Sequence, residues 1–353
     1  MRKISMVMLL VMIISSLVLP SANANSTDFA ESLLDGSSDV LSITADRTLL
    51  VDQVNSQIQV LDLALKKIVW SKKFPIIYDS QVLLNPAKIV VITAENNKLK
   101  KVTLSTDGRV ISEQAFSNIQ LAGDAKVSWS PKAGQNKEAI AVALDGKLNL
   151  YQYPWNKPEV TLSYVVPEDK AYEVTTVQNV KLQSGYAVLQ INGDNSSQDQ
   201  DLYRVVNLLS KKKYTIPVKW NTSSQFAIEG KELVVTTSSQ IGHPLGLDTS
   251  AQHMIYARYD LATGGKRLDV TRNFTSTESN WSASYFNHRL TLIDSEQNKL
   301  SVLDQKGNVI NDIPLIFSNK GLSGKLVGYY EDQFYMLARG EGGHIELIET
   351  SMK

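Results

Sequence analysis

A short apolar phrase that ends in a polar residue recurs seven times along this 353-residue chain. Clear copies are Ile58-Gln59-Val60-Leu61 before Asp62 and Leu300-Ser301-Val302-Leu303 before Asp304. The polar residues that end the seven copies are Asp62, Ser105, Gln152, Asn207, Asp260, Asp304 and Glu349. They are separated by 43 to 55 residues. A repeat of this period that contains several strands is typical of a β-propeller.

Each repeat divides into four short strands separated by turn residues. In the first repeat, strands are predicted over 40–44, 48–52, 58–62 and 68–74. The turns carry pairs such as Asp107-Gly108, which tolerate positive φ. Short, evenly spaced strands with such turns indicate an all-β fold. We therefore predict an all-β protein, a β-propeller of seven blades with four antiparallel strands each.

The seventh repeat contains only three predicted strands before the chain ends at Lys353. An N-terminal strand drawn from residues 25–34 would complete this blade and join the two ends of the ring. The same segment has a second interpretation, because Asp28 followed by Glu31 fits a helix capping box and Gly36 would end such a helix. Both interpretations stay open at this point.

The N-terminus has the pattern of a secretory signal. Arg2 and Lys3 precede the apolar stretch 4–19, and Ala22-Asn23-Ala24 fits a cleavage site. We expect a signal peptide over 1–24 and one propeller domain over 25–353, secreted or otherwise extracytoplasmic. We expect no transmembrane segment after cleavage, because no second apolar run is long enough to span a bilayer.

Composition excludes several classes of site and partner. The chain has no cysteine, so it has no disulfide, no thiolate metal site and no lipid-modified cysteine; it is not a lipoprotein of that type. Its 36 basic and 36 acidic residues balance. A nucleic-acid partner is not expected, because such binding depends on excess positive charge. We expect a monomer.

The segment 62–70 resembles the quinoprotein-like (PQQ-like, WD40-like) propeller repeat, whose motif is Asp-x-x-Thr-Gly-Lys-x-x-Trp. Asp62, Lys67 and Trp70 occupy motif positions, whereas Leu65 and Lys66 replace the Thr-Gly turn. The resemblance implies the fold. It also implies that the aspartate caps a tight turn and that the tryptophan docks on the neighbouring blade.

The fifth repeat carries the complementary half of that motif. Asp260, Thr263 and Gly264 match, and Leu268 stands where the tryptophan is expected. Many proteins with this repeat are scaffolds for protein assembly, so the resemblance favours a binding role. A third and weaker hypothesis, quinone-dependent oxidation, lacks a recognisable ligand set in this chain.

Two repeats carry extra length between their second and third strands, over 192–201 and 239–252. Such loops on a rigid ring are places where binding sites are built, and these two should lie side by side. Their candidate ligand-binding residues are Asp194, Asp199, Asp201, His243, Asp248 and His253. Carboxylates and imidazoles of this kind can ligate Ca²⁺ or a transition metal, but we predict neither a metal site nor a cofactor.

The remaining candidates lie where the inner strands face the central channel. They are Asp39, Asp79, Asp124 and Glu173. Motifs of zinc peptidases, serine hydrolases and phosphate-binding loops are absent from the sequence. The favoured function is therefore a non-enzymatic binding or scaffold module for an envelope or extracellular protein or polymer. The alternative is a hydrolase or lyase that uses the channel acids on a glycan, ester or lactone.

Overall fold

The computed structural model describes residues 29–34, 38–133, 137–164, 174–194, 200–219, 222–239, 252–275, 281–286, 288–294, 296–315, 324–339 and 344–351. Within these ranges, no helix has the length and apolar composition needed to cross a lipid bilayer. The predicted signal peptide lies outside the described residues. The one helix among them is a short 3-10 turn, Glu31–Leu34.

The strands form seven antiparallel blades, and we letter the strands of each blade A to D from the channel outward. The bounds of the first three blades are β1 (Ser38–Ser42), β2 (Arg47–Asp52), β3 (Gln57–Asp62), β4 (Lys67–Lys73); β5 (Ile77–Leu83), β6 (Lys88–Glu95), β7 (Lys98–Ser105), β8 (Val110–Gln120); β9 (Lys126–Ala133), β10 (Lys137–Leu144), β11 (Lys147–Gln152), β12 (Val160–Ser163). Those of blades 4 and 5 are β13 (Val174–Gln183), β14 (Tyr186–Asp194), β15 (Gln200–Asn207), β16 (Lys213–Lys219); β17 (Thr222–Glu229), β18 (Glu232–Ser239), β19 (His253–Asp260), β20 (Lys266–Arg272). Those of blades 6 and 7 are β21 (Trp281–Phe286), β22 (Arg289–Asp294), β23 (Lys299–Leu303), β24 (Val309–Pro314); β25 (Gly324–Tyr330), β26 (Gln333–Arg339), β27 (Ile345–Ser351).

The strand order within every blade is the order of the sequence. The predicted all-β fold of antiparallel four-stranded blades is therefore confirmed, with blade 7 described by three strands. One blade boundary is unusual: β18 also pairs with β21 at Ser238 and Ser282, which joins blades 5 and 6 into one eight-stranded sheet. The recurring phrase of the sequence is the C strand, which ends at its polar residue in blades 1 to 5 and one residue earlier in blade 6.

The B strands have side chains buried on both of their faces, because blades stack against a neighbour on each side. In β2, Leu49 and Val51 pack towards blade 2, whereas Leu50 packs towards blade 7. In β18, Val235 packs towards blade 4 and Val234 towards blade 6. Strand side chains alternate between faces, so burial on both faces produces a continuous apolar run in the sequence.

Seven apolar clusters hold the ring together, one for each pair of adjacent blades. The cluster between blades 7 and 1 contains Leu50, Leu61, Val327 and Leu337. It brings the two ends of the chain together. The repeat therefore closes into a ring, since each blade buries its apolar faces only between two others.

The N-terminal segment contributes to this closure through one backbone bridge and a short helical turn. Phe29 pairs antiparallel with Ile345 at the outer edge of β27. Leu33, in the 3-10 turn, is buried in the cluster between blades 7 and 1. Both sequence interpretations thus hold in part: an isolated bridge at Phe29 stands where a strand was considered, and the helix is a single 3-10 turn.

The polar residues that end the C strands cap the turns that follow. Asp62 Oδ1 accepts a hydrogen bond from the Leu65 amide at 2.9 Å. Asp260 Oδ1 accepts from the Ala262 amide at 2.8 Å and the Thr263 amide at 3.0 Å. Side-chain acceptors of this kind stabilise tight turns because they replace the backbone partner that a strand would supply.

The D strand of one blade docks on the C–D turn of the next. The indole N–H of Trp70 donates to the Thr106 carbonyl at 2.9 Å, and a Cβ on Gly108 would lie 3.0 Å from the Trp70 ring. At the boundary between blades 4 and 5, the corresponding residue is Tyr214. Its hydroxyl donates to the Leu261 carbonyl at 2.5 Å, and its ring covers Gly264.

At the boundary of blades 5 and 6, the residue in this position is Val270, which packs on Gly307. It lies two residues beyond Leu268, the position that the motif indicated. The register shift between Arg258 and Tyr259 has its equivalent in blade 1 between Val60 and Leu61, so Leu268 stands opposite Arg258 as Trp70 stands opposite Val60. Val270 docks two residues farther along the strand, opposite Tyr256.

We expect Gly108→Ala to destabilise the ring more than Gly185→Ala. The two glycines have similar φ angles, +85° and +81°, but a methyl group meets Trp70 at Gly108 and open space at Gly185. Both substitutions share the cost of positive φ, and overpacking should add about 1–3 kcal/mol at Gly108. Urea unfolding of the two variants measures the difference. Equal losses would show that the Trp70 contact carries no stability.

Candidate functional site

The A strands of blades 1, 4, 5, 6 and 7 line a cavity of about 260 Å³ at the centre of the ring. Its wall combines charged, hydroxyl and aromatic side chains. They include Asp39, Lys181, Phe226, Thr236, Ser284, Tyr285 and Lys325. This wall is mixed in charge, and a small polar molecule would find both donors and acceptors in it.

An ion pair crosses the channel from blade 1 to blade 4. Lys181 Nζ lies 3.3 Å from Asp39 Oδ1, and both side chains are largely shielded from solvent. The same ammonium group lies 5.6 Å from the centroid of the Phe226 ring, within cation–π distance. Lys181 of blade 4 therefore contacts side chains of blades 1 and 5, and its positive charge balances the negative charge of Asp39.

Asp79 joins blades 2 and 3 through a single carboxylate oxygen. Its Oδ2 accepts hydrogen bonds from the Trp129 amide at 2.7 Å and the Ser128 hydroxyl at 3.1 Å. Ser128 Oγ in turn accepts from the Leu182 amide of blade 4 at 3.0 Å. Gln81 adds a bond from its side-chain amide to the Trp129 carbonyl. These bonds tie three consecutive inner strands together.

Burial and a neighbouring charge change the acidity of Asp79. Removal from water, followed by repulsion from the Asp39 carboxylate, raises the pKa of Asp79 to about 7, against the opposing effects of the Trp129 amide, Lys181 and Ser128. Desolvation prevails because a buried carboxylate loses its hydration. Asp79 therefore titrates close to neutral pH.

A third channel contact closes the ring from blade 7 to blade 1. Lys325 Nζ donates to the backbone carbonyl and the hydroxyl of Ser38. Ser38 Oγ donates to the Leu33 carbonyl at 2.6 Å, so the N-terminal 3-10 turn is held by the same group. The described lysines of the channel thus both contact the A strand of blade 1.

The channel acids predicted from the sequence are distributed as follows. Asp39 lines the central cavity, and Asp79 bonds to the inner strand of blade 3 and lies close enough to Asp39 for the two charges to interact. Asp124 is exposed in the connection between β8 and β9. Glu173 lies outside the described residues. The structure therefore brings two of the four together.

The sequence analysis missed Lys181 and Lys325. Each is a lysine flanked by apolar residues within an inner strand, as in Val180-Lys181-Leu182. A charged side chain at an inward position of such a strand was the available signal.

The predicted long connection over 192–201 is wrong for blade 4, because β14 and β15 extend into it and leave only residues 195–199, as many as between β26 and β27; the connection of blade 5, residues 240–252, is long as predicted. Asp194 is the last residue of β14, and Asp201 is the second residue of β15, so both backbones lie at the same end of blade 4. Asp199, His243 and Asp248 lie outside the described residues.

His253 begins β19 and is only 7% exposed. Its ring centroid lies 5.4 Å from that of Trp281 and 6.0 Å from that of Phe274. These two rings are themselves stacked at 4.4 Å. His253 thus packs into an aromatic group between blades 5 and 6. Among the described residues, no three His, Cys, Asp or Glu side chains are grouped so as to hold a metal ion.

A second charged group links blades 5 and 6 at the A–B turns. Glu229 accepts hydrogen bonds from Arg258 Nη2 at 2.9 Å, from the Tyr285 hydroxyl and from the His288 ring. Arg258 also pairs with Glu232. Burial raises the pKa of Glu229, but the hydrogen bonds from Tyr285 and His288 hold it below its usual range.

The raised pKa of Asp79 predicts a pH-dependent stability. An aspartate in an unfolded chain has a pKa of about 3.9. Since the folded protein holds this proton more tightly, the stabilising contribution of Asp79 is complete below about pH 4 and decreases as the pH rises towards 7. Asparagine cannot ionise, so the Asp79→Asn variant does not lose stability at this position as the pH rises. From pH 5 to pH 8 its free energy of unfolding should gain roughly 2 to 3 kcal/mol relative to wild type.

Chemical unfolding of both proteins across this pH range measures the gain. Asp124→Asn, in an exposed connection, is the matched control, and its profile should follow that of wild type. A constant difference between Asp79→Asn and wild type would contradict the assignment of a neutral-range proton to Asp79.

No protein-family model matches the sequence, and no curated protein matches it. Among solved structures, hydrazine synthase of Kuenenia stuttgartiensis is similar with a TM-score of 0.51 and 11% identity, over 89% of this chain and 95% of that chain. The Pan2 WD40 domain of Neurospora crassa gives 0.49 and 10% identity, over 89% and 88%. Hsv2 of Kluyveromyces lactis gives 0.47 and 12%, over 89% and 98%. The first likeness is one of fold, and the chain is a β-propeller.

Proposed function

We propose that this protein is a non-enzymatic binding module, a secreted propeller that presents its faces to another protein or to an envelope polymer. One observation supports this most strongly: the charged side chains described in the channel are engaged in bonds between blades. A rigid ring with an internally satisfied channel offers its turns and loops for recognition.

Each channel charge has an architectural partner. Asp39 pairs with Lys181, Lys325 bonds to Ser38, and one oxygen of Asp79 accepts two hydrogen bonds from blade 3. Groups engaged in this way stabilise the inner ring because their bonds offset the cost of removing them from water.

The alternative function, a hydrolase or lyase, has one observation in its favour. The pKa of Asp79 is about 7, and the charge of Asp39 contributes to raising it. Two neighbouring carboxyl groups with different pKa values can serve as a general acid and a general base. Two observations weigh against it. The channel acids face as many lysines, and Asp39 is held by Lys181. We therefore place the binding role first.

We further propose a relationship to the quinoprotein-like repeat. In that motif an aspartate caps a tight turn, a glycine allows the backbone to form the turn, and an aromatic ring docks on the neighbouring blade. The same parts act here across a blade boundary, with the Asp62 cap and the Trp70 ring in blade 1 and Gly108 in blade 2. This supports a shared architecture and assigns no quinone to the channel.

The proposed partner contact is the B–C side of blades 4 and 5. The B–C connection of blade 5, residues 240–252, is longer than that of any other blade, and the two connections with their flanking residues carry several carboxylates. The backbones of Asp194 and Asp201 already lie together at this end of blade 4. Adjacent connections on one face give a partner a single continuous target.

We expect Asp194→Asn, Asp199→Asn, Asp201→Asn and Asp248→Asn together to abolish partner capture. The change removes the negative charge that this side would present, while keeping side-chain size. Tagged protein is recovered from its own producing cells after chemical crosslinking, and bound material is identified by mass spectrometry. A variant with Asp107→Asn and Glu159→Asn, both exposed at C–D turns, is the matched control.

Capture by wild type and by the control, but not by the quadruple variant, would support the proposal. Equal capture by all three would place the contact elsewhere. Turnover of a glycan or ester by wild type that Asp79→Asn abolishes would overturn the non-enzymatic assignment.

A further inference from the structure

The six described C–D turns lie on one face of the ring, because all blades share the same strand directions. We call this the outer-turn face. Its turns, taken with their flanking residues, are 62–67, 105–111, 152–159, 207–213, 260–267 and 304–310.

Five of these six turns expose a large apolar side chain to solvent. Tyr153 is 83% exposed and Leu209 is 81% exposed. Leu65, Ile111 and Ile310 project from the turns of blades 1, 2 and 6. Single exposed apolar residues are ordinary. Their recurrence on the turns of five separate blades, at one face, is not explained by packing within the ring.

The same turns carry an excess of positive charge. They contain ten lysines and arginines and five carboxylates, although the whole chain has equal numbers of each. Four of the ten cations are paired with carboxylates, two of which lie just outside these turns: Lys66 with Glu349, Arg109 with Asp107, Lys266 with Asp269 and Arg267 with Asp260. Asp62 and Asp304 accept backbone hydrogen bonds at their turns. Lys211 and Lys212 are exposed beside Leu209 in a turn without an acid.

Basic and apolar side chains are close neighbours in several of these turns. Leu65 precedes Lys66 and Lys67, and Arg109 precedes Val110 and Ile111. Apolar side chains that enter the headgroup region, beside lysines that attract anionic lipids, are the physical requirements of a peripheral membrane surface. A soluble polyanion would need only the positive charges of this face, and the exposed apolar side chains would then have no role in binding it.

We propose that the outer-turn face docks the ring on the surface of a lipid bilayer that contains anionic phospholipid. A flat bilayer reaches the tips of several blades at once, so many weak contacts add together. The B–C side, where we place the partner, then faces away from the lipid. This inference concerns where the ring is held and goes beyond the proposed binding function.

Vesicle cosedimentation tests this proposal. Wild-type protein is mixed with vesicles of phosphatidylcholine alone, or of phosphatidylcholine with phosphatidylglycerol, at low and at physiological ionic strength. We expect binding only to vesicles with phosphatidylglycerol, weakened but not abolished by salt. The combined variant Leu65→Gln, Leu209→Gln and Ile310→Gln should bind at least about tenfold more weakly, because it loses apolar insertion.

A charge variant, Lys211→Glu with Lys212→Glu, should lose at least about thirtyfold at low ionic strength, since each lysine near an anionic surface contributes about 1 kcal/mol. Two controls lie on the opposite face. Val54→Gln replaces an apolar side chain that is 62% exposed in a B–C turn, and Lys98→Glu reverses an exposed charge at the start of β7. Both should bind as wild type does.

Circular dichroism establishes that every variant remains folded. Absence of binding to phosphatidylglycerol vesicles at low ionic strength would overturn the proposal. So would an equal loss in the opposite-face controls. Full binding by the apolar variant, together with displacement by soluble polyphosphate, would show recognition of a polyanion and would also overturn it.

Discussion

Burial of both faces of each B strand is the constraint on which this structure depends. A blade alone would expose an apolar surface on each side, and only a ring gives every blade two neighbours. The buried alanines of β10 show how closely the blades approach, since Ala139, Ala141 and Ala143 all pack towards blade 4. This close packing fixes the width of the channel and thereby sets which polar groups meet inside it.

The narrow channel explains why its charged residues serve the architecture. Asp39 and Lys181 come from blades on different sides of the ring, 142 residues apart in sequence, and they compensate each other where water is scarce. A site of this kind is rigid, which suits recognition at the turn faces. The two faces differ in character, because one carries the long B–C connection of blade 5 and the other carries C–D turns with exposed apolar and basic side chains.

The sequence predicted the features that depend on local periodicity: the strands, the capped turns and the number of repeats. It also predicted the Trp70 contact, because the motif specified that ring. It did not predict Tyr214 and Val270 as docking residues, since the docking position accepts different side chains and Val270 lies two residues beyond the position that the motif specifies. The Asp39–Lys181 pair was also beyond reach, because no local signal relates two residues on blades across a ring.

The bridge between Ser238 and Ser282 joins blades 5 and 6 into one hydrogen-bonded sheet. The Trp281 amide reinforces it by donating to Ser239 Oγ at 2.9 Å, and the Trp281 indole donates to Thr237 Oγ1 at 3.3 Å. The described seam between blades 7 and 1 has one backbone bridge, at Phe29, and the bonds from Lys325 to Ser38. The molecule is therefore mechanically uneven around the ring: blades 5 and 6 should resist separation by force more than described neighbours that meet through side chains alone.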